Sequence, residues 1–242
     1  MKRLFRKINA FVKGIVLWLR PGLFLGFLGS PFQFLSNLIS LSKWISKHKK
    51  ETQFSDFLSF KRDYNKRYSL YEHVIASQKM QNEAVDYLEF GVSGGFSFRW
   101  WLGTNKHPDS RFYGFDTFEG LPEDWGTYNK GDMSARVPEI NDSRAKFLKG
   151  LFQDSLYPFV DSKPFKGNRK IIHLDADLYT STLFVLTTLA KDLKKGDILL
   201  FDEFNVPNHE WAAFQAFSKS FYIKTELLGS VNNYFQVALK IV

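Results

Sequence analysis

The chain reads as an α/β protein: a doubly wound, seven-stranded and mostly parallel sheet, ending in an antiparallel hairpin and preceded by a helical appendage. Three observations predict it. Short apolar runs (VDYLEF, KIIHL, DILLF) alternate with stretches of helical period, as parallel strands alternate with crossover helices. The stretch from Asp86 to Asp116 holds a strand, a glycine turn, a helix and a second strand, half of a nucleotide-binding unit. The last two apolar runs are separated only by GSVNN, which makes them a hairpin.

Residues 1–50 are compositionally separate, with ten Lys/Arg and no Asp/Glu. MKRLFRKINAFVKGIVLWLRPG mixes cations with large apolar residues at helical spacing, as an interfacial helix does. From Pro21 to Ser42 no residue is charged, a length able to cross a bilayer. Pro21, Pro31, three glycines, Gln33, Ser36 and Asn37 break that run, and cations flank it on both sides. No small-residue cleavage site follows a short apolar core, which disfavours a signal peptide. The favoured expectation is a membrane-surface anchor, placing the chain in the cytoplasm against the inner face of a membrane. A helical cap on the domain and a true span are the alternatives.

Residues 51–84 have apolar positions at helical intervals and are expected to form a helical cover, with His73 on its surface or partly packed. The domain proper spans 85–242. Its expected strands are Val85–Phe90, Arg111–Phe115, Ala145–Lys149, Lys170–Leu174, Asp197–Phe201, Tyr222–Leu227 and Tyr234–Ile241. Helices are expected over Phe96–Thr104, Tyr179–Leu193 and Trp211–Ser220. The Trp100–Trp101 pair on the first of these reads as packing. Between strands two and three, TFEGLPEDWGTYNKGDMSARVPEI has no periodicity; a loop that long in a compact domain reads as a lid.

With 44% hydrophobic and 17% aromatic residues the chain is a folded one. It has no cysteine, which excludes disulfides, zinc–thiolate sites and cysteine nucleophiles. The net charge of +8 belongs to the N-terminus: the remainder carries 33 − 10 = 23 basic against 25 acidic residues. A body of net −2 has no electrostatic footprint for nucleic acid.

Acids close the central strands: Asp116, then Asp175 with Asp177, then Asp202 with Glu203. In an open α/β sheet these carboxyl ends share one edge, so the acids converge on one pocket. Asp116 suits the hydroxyls of a ribose, and the glycines Gly91, Gly94 and Gly95 let backbone approach a ligand. Asp175, Asp202 and Glu203 are candidate ligands for a hard divalent ion such as Mg²⁺. His173 lies on the face of Asp175 and reads as a core histidine, while His209 falls nearer the pocket mouth.

LEFGVSGGFSFRWW, GFDTFEGLPEDW, GLFQDSL, HLDADLYTST and GDILLFDEFN, in this order, resemble the macrocin O-methyltransferase (TylF-type) family. The resemblance covers roughly residues 65–240. It implies a Rossmann-like class I methyltransferase fold, S-adenosylmethionine as cofactor, a divalent metal, and methylation of a hydroxyl on a sugar or glycosylated small molecule. It further implies that Glu89, Gly91, Ser93 and Gly95 line the methionine and ribose part of the cofactor, with Asp116 and Thr117 at the ribose hydroxyls. Phe152, Gln153, Asp154 and Ser155 fall at the adenine. Asp175 borders the cofactor and, with Asp202 and Glu203, matches the metal positions; Asp177 matches the general base. Two departures stand out. Glu203 replaces an aspartate, and GVSGG lacks an aromatic–Arg pair before its glycines.

A nicotinamide-dependent dehydrogenase or epimerase is disfavoured, because GVSGG lacks the G-x-G-x-x-G spacing and no Tyr-x-x-x-Lys pair stands near the expected position. A non-catalytic, membrane-associated binding module on a degenerate methyltransferase fold stays open on account of Glu203. The anchor suggests a lipid-linked sugar as partner; self-association is left open.

Overall fold

The computed structural model describes residues 1–242. Seven strands form one sheet: β1 Val85–Phe90, β2 Arg111–Asp116, β3 Ala145–Lys149, β4 Arg169–Leu174, β5 Ile198–Phe201, β6 Thr225–Val231 and β7 Gln236–Ile241. Their order is β3-β2-β1-β4-β5-β7-β6, and only the pairings of β7 are antiparallel. The helices are α1 Lys2–Leu19, a short α2 Gly22–Leu25, α3 Gly29–His48, α4 Lys66–Ser77, α5 Phe96–Thr104, α6 Phe152–Asp161, α7 Tyr179–Leu189 and α8 Glu210–Ser220.

Alternation along each strand divides the interior into two cores. Leu88, Phe90, Ile172, Leu174, Leu199 and Phe201 face one, which is closed by α6, α7, α8 and Leu41 of α3. Val85, Tyr87, Ile171, Ile198 and Leu200 face the other, closed by α4 and α5, with Trp101 buried there. Both faces are covered, so the central strands are buried along nearly their whole length.

Three expectations are corrected. The hairpin lies later in the chain than predicted: β6 starts at Thr225, and Asn232, Asn233 and Tyr234 form the turn with φ of 55, 60 and 64°. Asparagine tolerates that left-handed conformation, so the NN dipeptide is the turn itself rather than its edge. Residues 51–65 form no helix, and only Lys66–Ser77 of the expected cover is helical. The amides of Asn232 and Asn233 bond to backbone N–H and C=O of Asp63 and Ser59 respectively, holding that segment extended beside the hairpin. Finally, residues 1–50 are not one unit. From Asn37 onward α3 is docked: Asn37 Nδ2 donates to Asn208 Oδ1 at 2.9 Å, and Ser40 Oγ accepts from Trp211 Nε1 and Gln215 Nε2, each at 2.8 Å. Trp44 packs on Phe204 with ring centres 5.1 Å apart. In contrast, α1 and α2 bury nothing.

Candidate active site

The register places the site. Phe90 pairs with Phe115 and Leu174, and Leu174 with Phe201, so four strands end in one row. The next residues, Gly91, Asp116, Asp175 and Asp202, therefore stand side by side on the carboxyl edge. Gly91 has φ 92°, and a Cβ there would lie 1.8 Å from the Asp175 carbonyl oxygen. Its absent side chain lets β1 and β4 close together, a use different from the approach to a ligand expected of the glycine turn. Gly95, at φ 75°, begins α5 and packs beneath Pro138 rather than at the cavity.

Beyond this row opens a cavity of about 510 Å³, within the range of small-molecule sites. Gly91, Ser93, Asp116, Thr117, Phe152, Gln153, Asp175 and Asp177 line it. Gly120, Leu121, Pro122, Glu123 and Met133 of the long loop form its outer wall, in keeping with a lid. Two contacts hold that wall closed: Thr180 Oγ1 donates to Glu123 Oε1 at 2.9 Å, and the Trp125 ring meets His209 edge-on. His209, half-buried against the lid, does not line the cavity.

Asp116 is firmly held. Its Oδ2 accepts the backbone N–H of Val92 and of Ser93, both at 2.8 Å, and Oδ1 accepts that of Phe118 at 2.6 Å. A carboxylate offers about four acceptor positions, so one remains for a ligand hydroxyl rather than two. Thr117 spends its hydroxyl on the loop, donating to the Gly120 carbonyl.

Several expected residues lie elsewhere. Asp154 and Ser155 do not reach the cavity: α6 begins at Phe152, and its rotation of about 100° per residue turns them away. Ser155 Oγ instead donates to the Leu151 carbonyl. Glu89 is fully buried beneath the floor. It accepts from Ser97 Oγ at 2.7 Å and from Tyr87 OH, and the Tyr87 hydroxyl also bonds His173 Nδ1 at 2.7 Å. Tyr71 OH meets the other ring nitrogen at 3.2 Å. One consistent proton order runs Tyr71 to His173 to Tyr87 to Glu89. Burial pushes Glu89 up to about 8 and, with Arg67, lowers His173 to about 3, so His173 is a neutral core histidine.

The three expected metal ligands do not gather into one three-carboxylate set. Arg67, which the sequence reading placed only in the helical cover, sits between two of them: its Nη1 is 3.3 Å from Asp202 Oδ2 and 3.8 Å from Asp175 Oδ2. The Glu203 backbone N–H donates to Glu210 Oε2 at 2.9 Å. What remains is a two-carboxylate pair in which Asp202 Oδ1 is buried without a partner. Glu203 Oε2 is also buried and unpartnered. Burial, then each other's charge, raises the acids together. Asp177 rises to about 6 and Glu203 to about 8, while Asp175 also stands well above the usual carboxylate range. Such a cluster favours a proton or a cation.

Residues 88–204 match the sequence pattern of a family described as a methyltransferase domain. Over 144 residues the chain is 29% identical to the 8-demethyl-8-(2,3-dimethoxy-alpha-L-rhamnosyl)-tetracenomycin-C 4'-O-methyltransferase of Streptomyces olivaceus. That alignment takes in 50% of this chain and 53% of the relative, so the chain spans about half the length of the curated relative it matches. Among solved structures, the calicheamicin methyltransferase CalS11 superposes with a TM-score of 0.56 at 21% identity, covering 74% of this chain and 78% of that one. The O-methyltransferase NovP gives 0.53 at 22%, covering 73% and 78%. The sheet is thus the Rossmann-like fold of class I methyltransferases, with a methyltransferase-domain signature over its central half.

Proposed function

We propose that this chain is an S-adenosylmethionine-dependent O-methyltransferase whose acceptor is a hydroxyl of a sugar or glycosylated small molecule. The observation that carries the reading is the row of Gly91, Asp116, Asp175 and Asp202 opening on a lidded cavity of about 510 Å³. The sugar acceptor is supported by the relative that methylates a rhamnosyl group.

The cofactor supplies a sulfonium-activated methyl group, which is reactive enough that the protein's task is placement. Asp116 takes a ribose hydroxyl at its one spare acceptor position, while Gln153 at the head of α6 borders the adenine. The lid wall from Gly120 to Glu123 excludes water from the methyl donor. At the acceptor an O–C bond forms as the S–C bond breaks, and the hydroxyl proton passes to Asp177. Held near 6 by burial and by Asp202 and Asp116, Asp177 is mostly ionised at neutral pH and still basic enough to accept it.

A divalent ion would be held by Asp175 and Asp202 rather than by three carboxylates. Mg²⁺ is commonly held by one or two carboxylates, and the unpartnered Asp202 Oδ1 suits a hard cation. When bound, the ion lowers the pKa of an acceptor hydroxyl. Arg67, 3.3 Å from Asp202 Oδ2 and 3.8 Å from Asp175 Oδ2, holds the pair in place. Mn²⁺ titrated into the protein and followed by electron paramagnetic resonance should lose its free signal at about one ion per chain, and Asp202→Asn should restore it. A wild type that leaves the free signal intact removes the metal from the proposal.

The activity test uses labelled S-adenosylmethionine with a panel of glycosides and nucleotide-linked deoxysugars. Transfer is expected to some member, and Asp177→Asn is expected to lose it while S-adenosylhomocysteine still binds. Undiminished transfer by Asp177→Asn removes that residue as the base.

A further inference from the structure

We propose that α1 and residues 22–36 rest on the surface of an anionic lipid bilayer, and that α3 holds the mouth of the site beside that surface. No residue of α1 is buried, and Phe11 at its centre is 71% exposed. At 100° per residue Leu4, Ile8, Phe11, Ile15 and Leu19 fall on one side of the helix. Lys2, Arg3, Arg6 and Lys13 fall on the other, with Lys7 at the boundary. An apolar face this long on a helix without neighbours calls for a partner. The charge says which. The first 50 residues carry ten Lys/Arg and no acid, so the complement is anionic, and an apolar face rimmed by cations is how an interfacial helix meets anionic headgroups.

The helix lies on the bilayer rather than crossing it. Gly22–His48 is long and apolar enough to span by length and composition. From Asn37 onward, however, this stretch is bonded to Asn208, Trp211 and Gln215 of the domain. Residues 22–36 are left, and 15 residues at 1.5 Å each reach about 22 Å against a hydrocarbon core of about 30 Å. That is too short.

The same clamp reaches the loop beside the lid. Asn208, held by Asn37, belongs to the loop between Glu203 and α8, and its neighbour His209 carries the lid through Trp125. Anchor and lid thus meet at one loop. Resting on the methyltransferase reading, this assigns the acceptor to the amphiphiles: a sugar headgroup carried on a lipid and offered from the bilayer plane.

Full-length protein sedimented with phosphatidylcholine vesicles should stay in solution, and should sediment when roughly a third of the lipid is phosphatidylglycerol. Each cation at such a surface contributes about fivefold, so Lys2→Gln, Arg6→Gln and Lys13→Gln combined should weaken binding on the order of a hundredfold. Phe11→Glu with Ile15→Glu should abolish it, leaving the thermal melt and S-adenosylhomocysteine binding unchanged. Three results overturn the proposal: no sedimentation by folded wild type; a dimer in sedimentation velocity that Phe11→Glu with Ile15→Glu converts to monomer without any lipid binding; or membrane-bound protein that resists alkaline carbonate as a true span does. None of these readouts involves methyl transfer, so failure here and failure of the enzyme reading are told apart.

Discussion

Gly91→Ala separates two explanations of the glycine turn. If the glycine serves ligand approach, the variant folds normally and loses only binding. The structure predicts otherwise, because the new Cβ would lie 1.8 Å from the Asp175 carbonyl oxygen and 2.7 Å from its carbonyl carbon. Ordinary contact begins at 3.4 Å, so β1 and β4 must part by 3.4 − 1.8 = 1.6 Å at their ends. Both are backbone segments inside the sheet and cannot turn aside as a flexible side chain does. Three costs follow: about 1–2 kcal/mol for a side chain at φ 92°, about 1–3 kcal/mol for overpacking, and about 1 kcal/mol for the strained bond from Asp175 N–H to the Phe90 carbonyl. The sum is a loss of about 3–6 kcal/mol, present without any ligand. Urea unfolding of the ligand-free protein measures it. Gly94→Ala is the control, since its Cβ would meet only the edge of the Phe96 ring at 3.0 Å and should cost about 1 kcal/mol or less. If Gly91→Ala unfolds at the wild-type urea concentration, the account of this turn is wrong.

Arg67→Gln removes the cation between Asp175 and Asp202 and leaves buried carboxylates unpaired, so it should destabilise by about 3–5 kcal/mol at pH 8 in urea melts; a change below about 0.5 kcal/mol would mean the pair is dispensable. Glu89 predicts a pH dependence. Its folded value of about 8 lies above the model-peptide 4.5, so the folded state holds a proton that the unfolded chain releases. The contribution is complete below pH 4.5 and is lost as pH rises through 8. Urea midpoints of wild type should fall between pH 5 and pH 9, and Glu89→Gln should flatten part of that fall; equal slopes in the two proteins would contradict the assignment. Tyr87→Phe leaves His173 Nδ1 and a Glu89 oxygen without their partner and should cost about 1–3 kcal/mol by the same assay, with no change in cofactor affinity beyond that of a loosened floor.

The sheet and the acidic edge were legible because the relevant signals are local. VDYLEF, KIIHL and DILLF are buried throughout since both faces of the sheet are covered, and acids follow where three of the strands reach the edge. The row at Asp116, Asp175 and Asp202 therefore needed only strand ends. Glu89 was misplaced although its period was readable: it shares the face of Val85 and Tyr87 and so points into the α4–α5 core rather than at the cavity. Asp154 and Ser155 were misplaced because a motif match says nothing of where a helix begins. Arg67 was missed for a different reason. Nothing local marks a helix residue that a tertiary contact will bring to acids more than a hundred residues away. Residues 51–65 imitate helical spacing, and what decides against it is distant: their bonds to the hairpin at Leu227, Leu228, Ser230, Asn232 and Asn233.

On the proposed function, the lidded cavity on the acidic edge holds S-adenosylmethionine. Its most direct test is calorimetric titration of full-length protein with S-adenosylhomocysteine, repeated on Asp116→Ala. One site per chain with micromolar affinity is expected in the wild type, and no binding heat in a variant that still melts cooperatively. A cooperatively folded wild type that takes up neither S-adenosylhomocysteine nor S-adenosylmethionine would contradict it.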